Sequence, residues 1–150
     1  MIKILFVCHG NICRSPMAEF VMKDLVKREG IDAHIQSAAT SREEIGNPVH
    51  QGTRRKLAQY GISTDGKYAV QMTKADYDKY DFIIGMDEWN IRNIMRIIGS
   101  DPQGKVCKLL SFAGSGRDIA DPWYTGNFDE TYDDVLRGCT SLIKEIKTKA

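Results

Sequence analysis

Short apolar runs alternate along this chain with longer segments in which apolar residues recur every three or four positions. The first run, Ile2 to Val7, is broken only by Lys3 and contains β-branched residues, as is typical of a strand buried on both faces. Ser15-Pro16 then opens a segment with one apolar helical face, with Ser15 as N-cap and Pro16 as first helical residue, and Gly30 ends it. This N-terminal part therefore predicts a strand, a loop and a helix.

The same alternation recurs downstream. Three more strands are predicted, at His34 to Ala39, Asp81 to Met86 and Val106 to Phe112. Further helices are predicted from Asn47-Pro48 to Gly61, after an N-cap at Asp87, and along the C-terminal stripe of Tyr132, Val135, Leu136, Cys139, Leu142, Ile143 and Ile146. Strands that alternate with helices predict an α/β fold of three layers, with a four-stranded parallel sheet covered by helices on both faces.

Composition and charge narrow the class of protein. The chain has 150 residues, 42% of them apolar and 27% charged, which suits one globular domain, and no linker or repeat divides residues 1–150. Gly114 to Asn127 is the longest predicted loop. The net charge of +1, with no basic block longer than Arg54-Arg55, predicts no binding to nucleic acid or to a membrane surface. A monomer is the simplest expectation.

The N-terminus and the cysteines indicate a cytoplasmic protein. The segment from Met1 to Val7 is too short for a secretory signal and runs directly into a polar loop. Four cysteines could pair, but a domain of this size in a reducing compartment does not need disulfides. Cys107 and Cys139 lie in an apolar strand and on an apolar helix face, so both are expected in the core.

The loop after the first strand holds the candidate chemistry. Ligands of open parallel sheets bind beyond the carboxyl ends of the strands, and this loop opens with Cys8. Gly10 and Asn11 can adopt left-handed backbone angles, which would curl the loop and turn several backbone N–H groups inward. Together with the N-terminus of the following helix, these groups predict a receptor for a tetrahedral oxyanion.

Cys8, Arg14 and Ser15 supply the reactive groups of this loop. Cysteine attacks only as a thiolate, so the inward N–H groups, the Ser15 hydroxyl and the Arg14 charge are expected to stabilise that form of Cys8. The planar guanidinium of Arg14 can hold two phosphate oxygens at once and stays charged throughout. The spacing C-x5-R alone often arises by chance, so it does not decide the function.

Asp121 is the candidate proton donor. Pro122 keeps this residue extended in a loop beyond the fourth strand, at the same sheet edge as Cys8. A carboxylic acid at that place can protonate a departing phenolate and later activate water. Trp123 and Tyr124 follow directly and can form an aromatic wall for a phenyl ring.

The string Val-Cys-His-Gly-Asn-Ile-Cys-Arg-Ser-Pro closely resembles the signature of the low-molecular-weight protein-tyrosine phosphatases. The resemblance extends along the whole chain, through Ser37-Ala38-Ala39, Met86 to Asn90, and Asp121 to Tyr124. It implies a four-stranded parallel sheet, a phosphocysteine intermediate on Cys8, phosphate binding by Arg14, and Asp121 as general acid and base. It also implies a phosphate loop that includes His9, Gly10, Asn11, Ile12, Cys13 and Ser15, in which Asn11 and Ser15 hold the loop and stabilise the thiolate. Phosphotyrosine-containing proteins are the implied substrates, and no cofactor is implied.

Two positions depart from the pattern of that family. Ser41 to Ile45 stands where many members carry an aromatic residue, which makes Glu43 part of the substrate wall and predicts a one-sided, more acidic pocket. A histidine that supports the loop asparagine in some members aligns with Gly66, so Asn11 is expected to rely on other partners.

Other functions fit the sequence less well. No metal site is expected, since Cys8 and Cys13 lack C-x2-C spacing and the histidines form no ligand set. An arsenate reductase of this fold would need a further cysteine pair in the segment from Gly85 to Ser100, where this chain has none. A thiol redox switch built from Cys8 and Cys13 would give no function to Arg14 or Asp121. A protein-arginine phosphatase typically carries threonine at the position of Ile12, where isoleucine favours phosphotyrosine.

Overall fold

The β-sheet is built around the first strand. The computed structural model describes residues 1–149, and its strands are β1 (Ile2–Cys8), β2 (Ala33–Ala39), β3 (Phe82–Gly85) and β4 (Val106–Lys108). All neighbouring strands are parallel, in the order β2-β1-β3-β4. The chain adds β2 on one side of β1 and then β3 and β4 on the other, so the strand order reverses at β1, where such sheets bind ligands. The predicted four-stranded parallel sheet is confirmed.

Helices cover both faces of the sheet. They are α1 (Arg14–Glu29), α2 (Gln51–Ala58), α3 (Asp76–Lys79), α4 (Glu88–Ile98), α5 (Pro122–Thr125) and α6 (Phe128–Lys149). Because successive residues of a strand point to opposite faces, Ile4 and Phe6 of β1 pack with α1 and α6, whereas Leu5 and Val7 pack with Ile94 of α4. The three-layer α/β fold is therefore confirmed. Within residues 1–149, no helix is both long and apolar enough to cross a membrane.

The predicted fourth strand is too long. β4 ends at Lys108, and Leu109–Ala113 form a 3-10 helix instead of continuing the strand to Phe112. Leu109 and Leu110 are both fully buried in one core, which two consecutive strand residues cannot achieve because they face opposite sides. Leu109 also packs directly over Gly138 of α6, where a Cβ atom would lie 2.4 Å from the leucine Cγ. Packing against α6 thus imposes the helical turn.

The second helix begins later than predicted. α2 starts at Gln51, with the His50 ring accepting a hydrogen bond from the Gly52 backbone, and it ends at Ala58 rather than Gly61. Pro48 instead forms an antiparallel bridge with Tyr68, and the Ala69 backbone donates to Asn47 O at 2.9 Å. This pairing with a distant segment holds residues 47–48 extended, so the helix cannot begin there.

The predicted loop from Gly114 to Asn127 contains the short helix α5. The longest irregular segment is residues 59–75, between α2 and α3, which the apolar pattern did not single out. The third strand is also shorter than Asp81 to Met86 at both ends. The short helices α3 and α5 and the 3-10 helix were not predicted, whereas the four strands and the longer helices follow one another in the predicted order.

Candidate active site

The candidate site is a cavity at the carboxyl end of β1. Three segments contribute to it: the loop after β1, the loop after β2 and the segment that leads into α5. The lining residues are Cys8, His9, Gly10, Ile12, Cys13, Arg14, Glu43, Glu44, Asp121, Trp123 and Tyr124. Asn11 and Ser15 belong to the same loop and are fully buried. The structure therefore brings the predicted site residues together and adds Glu44 to them.

The loop curls at a single left-handed residue. Asn11 has a φ angle of 58°, whereas Gly10, for which the sequence suggested the same conformation, does not lie in that region. Asparagine tolerates such angles better than most residues that carry a Cβ atom. Gly10 instead allows the close approach of Glu44, since a Cβ atom there would lie 3.2 Å from Cγ of Glu44.

The helix after the loop begins at Arg14, earlier than predicted. Cys13 occupies the cap position, and Pro16 lies in the first turn, where backbone N–H groups have no partner within the helix. Ser15, the predicted N-cap, is therefore a helical residue. Its Oγ atom lies 3.0 Å from Sγ of Cys8, so this hydroxyl hydrogen-bonds to the thiol and does not cap the helix.

A directed chain of hydrogen bonds reaches Cys8. Nδ2 of Asn11 donates to Oγ of Ser15 at 2.7 Å and to Oγ of Ser37 at 2.9 Å, and Ser37 donates to Oε1 of Glu19 at 2.5 Å. Because a carboxylate only accepts, Glu19 fixes the direction of every bond in the chain. The Ser15 proton is left for Sγ of Cys8, to which the Asn11 backbone N–H also donates at 3.3 Å. Two donors thus face the sulfur, as a thiolate requires.

Asn11 is held without a histidine partner. Besides the serine hydroxyls, the Val70 backbone N–H donates to its Oδ1 at 3.2 Å. Lys67, the neighbour of Gly66, donates from Nζ to the Ser37 carbonyl at 2.7 Å. Burial lowers the pKa of Lys67, while the nearby Glu19 carboxylate opposes that shift. Lys67 thus supports the network beside the position where some family members carry histidine.

Glu19 is the site residue that the sequence analysis missed. It is only 1% exposed and pairs with Lys23 at 2.6 Å and with Lys67 at 3.4 Å. A signal was present, because Glu19 is the single charge in the otherwise apolar run from Pro16 to Met22. Since buried charges are paired, a lone acid in such a run indicates a partner elsewhere in the fold.

Replacing Glu19 by glutamine is expected to lower the free energy of unfolding by about 3–5 kcal/mol, because it leaves buried Lys67 without its counter-charge. Urea unfolding at neutral pH measures the change. The matched control is Asp24→Asn, the same chemical change in the same helix, in the more exposed pair with Arg28. That control should change stability by less than about 0.5 kcal/mol. Equally small losses in both variants would contradict the role of the buried pair.

Arg14 is held so that part of its guanidinium stays available. It is 3% exposed, and Nη1 donates to Oδ2 of Asp87 at 2.6 Å and to the Ile119 carbonyl at 2.9 Å. Burial alone would lower the pKa of Arg14, but Cys8, Asp87 and Asp121 together raise it above its ordinary value. Among residues 1–148, nothing accepts a hydrogen bond from its buried Nε–H group. Because an unpaired buried donor is unfavourable, an anion bound beside Arg14 would supply the acceptor that this group lacks.

Asp87 has a second role that its sequence position did not reveal. It caps α4 as predicted, with Oδ1 accepting from the Asn90 backbone at 2.7 Å. Its other oxygen holds Arg14. The helix cap therefore fixes the carboxylate that orients the arginine.

Asp121 adopts the extended conformation predicted for a residue before proline, with φ −80° and ψ 115°. Its Oδ1 accepts from the Trp123 backbone at 3.0 Å, which caps α5. Its Oδ2 lies 3.4 Å from Nη2 of Arg14, and the side chain is 24% exposed. The carboxyl group can therefore exchange protons with a ligand bound to the arginine.

The aromatic residues at the cavity mouth remain open to solvent. Trp123 is 56% exposed and Tyr124 is 84% exposed. The His50 ring packs edge-on against Trp123, with ring centroids 5.6 Å apart, and stacks on Phe128 at 5.3 Å. Trp123 is thus supported from one side and can present its other surface to a substrate ring.

Two carboxylates, Glu43 and Glu44, contribute to the cavity wall, whereas the sequence analysis predicted only Glu43 there. Oε2 of Glu43 lies 2.9 Å from Nε2 of His9. Oε2 of Glu44 accepts from Nδ2 of Asn47 at 2.5 Å. The cavity wall is therefore acidic at two consecutive positions.

All four cysteines are free thiols. Burial, together with nearby negative charge, raises the pKa of Cys13 to about 12. Cys139 is fully buried in the core, as predicted, whereas Cys107 is only partly buried and burial raises its pKa to about 11. Within the described part of the chain, no three His, Cys, Asp or Glu side chains are grouped so that they could share a metal ion.

Known proteins match this chain along almost its whole length. The family model for low molecular weight phosphotyrosine protein phosphatase matches residues 3–150. Low molecular weight protein-tyrosine-phosphatase YfkJ of Bacillus subtilis is 41% identical over 151 residues, which cover 98% of this chain and 97% of that protein.

Solved structures share the fold. The crystal structure of YfkJ has a TM-score of 0.93 and 41% identity, with 99% of this chain and 96% of that chain covered. SP-PTP, a low molecular weight protein tyrosine phosphatase from Streptococcus pyogenes, has a TM-score of 0.87 at 42% identity, with 97% and 93% covered. DARP, a drosophila arginine phosphatase, has a TM-score of 0.89 at 28% identity, with 97% and 98% covered. The chain therefore belongs to the low molecular weight phosphotyrosine protein phosphatase family and is a phosphoric monoester hydrolase.

Proposed function

We propose that Cys8 forms a phosphocysteine intermediate during the hydrolysis of phosphotyrosine in proteins, with Arg14 binding phosphate and Asp121 acting as general acid and base. The observation that carries this proposal is that Cys8, Arg14 and Asp121 line one cavity, in which Arg14 has an Nε–H group without a partner. A phosphate group can accept from Nε and Nη2 side by side while its phosphorus faces the sulfur. The cavity thus combines a nucleophile, an anion receptor and a proton donor.

In the first step, the Cys8 thiolate attacks phosphorus, the S–P bond forms, and the bond from phosphorus to the phenolic oxygen breaks. Asp121 gives its proton to the departing oxygen. Arg14 stabilises the negative charge on the phosphate oxygens, and Asp87 and the Ile119 carbonyl keep its guanidinium in place. Tyrosine leaves as the neutral phenol.

In the second step, water attacks the phosphorus of the phosphocysteine. Asp121, now a carboxylate, takes a proton from that water, while the S–P bond breaks and inorganic phosphate leaves. The Ser15 hydroxyl and the Asn11 backbone N–H receive the returning thiolate. One carboxyl group therefore serves both steps.

The rest of the loop binds the phosphate through its backbone. His9, Gly10, Ile12 and Cys13 line the cavity between the nucleophile and the arginine. Their N–H groups, near the N-terminus of α1, provide the oxyanion receptor.

Three assays distinguish this activity from the alternatives of the same fold. Initial rates are measured on an aryl phosphate, on arsenate with a thiol donor, and on a model disulfide. We expect turnover of the aryl phosphate only, and rapid quenching followed by mass spectrometry should find phosphate on the peptide that contains Cys8. Turnover of arsenate or of the disulfide at a comparable rate would contradict the proposal.

Phosphoarginine is the alternative substrate raised by the structural likeness to an arginine phosphatase. Ile12 argues against it, because this side chain is 8% exposed, packs with Cys13 and Ala69, and offers only apolar contact to the cavity. A guanidinium facing Ile12 would lose hydrogen bonds worth about 1–3 kcal/mol, whereas a phenyl ring loses none. The narrow loop also favours the long phosphotyrosine over phosphoserine.

We therefore expect kcat/KM to be higher for a phosphotyrosine peptide than for phosphoserine and phosphoarginine peptides. Ile12→Thr should shift the ratio toward phosphoarginine by about tenfold, since the hydroxyl restores a hydrogen bond. Ile45→Thr is the matched control, because Ile45 is 52% exposed and lies outside the cavity lining. A wild-type preference for phosphoarginine would refute the tyrosine assignment and leave the cysteine mechanism standing.

We also propose that residues 1–150 act as one phosphatase domain in the cytoplasm. The match of the family model to residues 3–150 supports one domain. The four free thiols suit a reducing compartment.

A further inference from the structure

We infer that the Glu43-Glu44 wall selects phosphotyrosine sites that have lysine or arginine next to the phosphotyrosine. This inference rests on the proposed phosphotyrosine phosphatase activity and names the class of protein substrate for it. Both glutamates line the cavity that contains Cys8 and Arg14, so a peptide bound there through its phosphate lies close to them.

Each glutamate has one hydrogen-bond partner, Glu43 across the cavity and Glu44 within its own loop. Glu43 lies 2.9 Å from the ring nitrogen of His9, although its own side chain is 69% exposed. Glu44 is bonded to Asn47 and lies over Gly10, where any side chain larger than hydrogen would crowd it. Both carboxylates are therefore oriented by a neighbouring hydrogen-bond partner at the cavity wall.

Among residues 1–148, whose side chains the structure describes, no lysine or arginine forms an ion pair with either glutamate, and Glu43 is paired with the His9 ring. Arg42, their neighbour in sequence, donates to Oε1 of Gln71 at 3.3 Å instead. Arg14 is the only lysine or arginine in the cavity lining, and Asp87 and Asp121 already face it. The wall thus presents negative charge that a basic substrate residue can neutralise.

The buried Nε–H of Arg14 independently indicates where the ligand lies. Because it has no acceptor among residues 1–148, this donor is available to a phosphate that binds beside Arg14. A tyrosine ring on that phosphate can contact Trp123 and Tyr124, and its peptide then lies near the wall, because these residues and the two glutamates line the same cavity. Residues on either side of the phosphotyrosine therefore come within range of Glu43 and Glu44.

The negative charge of the wall favours basic peptides and disfavours acidic ones. The two glutamates attract a lysine or arginine beside the phosphotyrosine and repel an acidic residue there. They repel the phosphate in both cases, so the residue beside it makes the difference. Because the wall is partly exposed, the effect should weaken as ionic strength rises above about 0.1 M.

The experiment compares kcat/KM for phosphotyrosine peptides that differ only in the two residues beside the phosphotyrosine, which are lysine, alanine or glutamate. At low ionic strength we expect the lysine peptide to be preferred over the glutamate peptide by about tenfold, as two partly exposed charge pairs allow. In the double variant Glu43→Gln, Glu44→Gln the preference should fall to about twofold or less. The same enzyme samples are also assayed on an aryl phosphate.

The matched control is Asp24→Asn with Glu29→Gln, which removes two negative charges from α1, outside the cavity lining. This control should keep the tenfold preference. Equal rates on the three peptides, or an unchanged preference in the Glu43 and Glu44 double variant, would overturn the inference. If the aryl phosphate is still hydrolysed in that case, the proposed function stands. If the wild-type protein had no phosphatase activity at all, the proposed function would be wrong, and the inference with it.

Discussion

Cys8→Ser is expected to abolish the hydrolysis of aryl phosphates and phosphotyrosine peptides. An alcohol is not ionised at neutral pH, so the variant lacks the nucleophile even though its oxygen occupies nearly the same place. The rate should fall below about one ten-thousandth of the wild-type value, the scale of loss when a nucleophile is removed. Steady-state kinetics on both substrates measure this change.

The fold should survive the Cys8 substitution. The serine oxygen can replace the sulfur as partner of the Ser15 hydroxyl and the Asn11 backbone N–H. Cys107→Ser is the matched control, since Cys107 is partly buried in β4 and lies outside the cavity lining, and it should retain activity. Unchanged thermal unfolding of Cys8→Ser, together with retained binding of a phosphotyrosine peptide, would show that only the chemistry is lost. Substantial residual turnover would refute the assignment of Cys8.

Asp121→Asn is expected to slow hydrolysis by about 10²- to 10⁴-fold when the leaving group is poor, as in phosphotyrosine. An activated phenol that departs without a proton should be affected much less. The difference arises because asparagine cannot donate a proton to the leaving oxygen. Measuring kcat for a series of aryl phosphates with leaving groups of different acidity tests this dependence.

In Asp121→Asn, the loss of the proton donor can be distinguished from a loss of structure. Asparagine is as good an N-cap as aspartate, so α5 should keep its start at Pro122 and Trp123 should keep its place. Asp118→Asn is the matched control, because Asp118 belongs to the same segment, is half exposed and pairs with Lys108. It should leave the rates within about twofold, as is usual for an exposed pair. If Asp121→Asn slowed good and poor leaving groups equally, Asp121 would not be the leaving-group acid.

Local sequence patterns were sufficient for much of the site. The apolar run of β1 placed the loop at a strand end, and the left-handed conformation of Asn11 follows from its own side chain. Pro122 was enough to predict an extended Asp121, and Asp87 was enough to predict the start of α4. Each of these features depends on residues within a few positions of each other, which is the range over which backbone preferences act.

The ends of elements depended on contacts that no local pattern contains. Leu109 and Leu110 form a helical turn because α6 packs over them, and Pro48 is extended because Tyr68 pairs with it. Gly10 was predicted from its backbone freedom, but the structure uses it for the close approach of Glu44. In each case the partner lies many residues away, and packing outweighs the local preference.

By itself, the sequence determined the fold class, the order of the four strands and the longer helices, and the identity of the candidate nucleophile, arginine and acid. Only the tertiary structure decided how they are held: Glu19 fixes the direction of the hydrogen bonds that reach Cys8, and Asp87 clamps Arg14 from a different strand end. It also decided that Lys67 supports the network and that Glu44 joins the wall. The physical reason is that hydrogen bonds and ion pairs depend on distances between side chains. Those distances are set by which strands become neighbours and how helices pack on them, not by spacing along the chain.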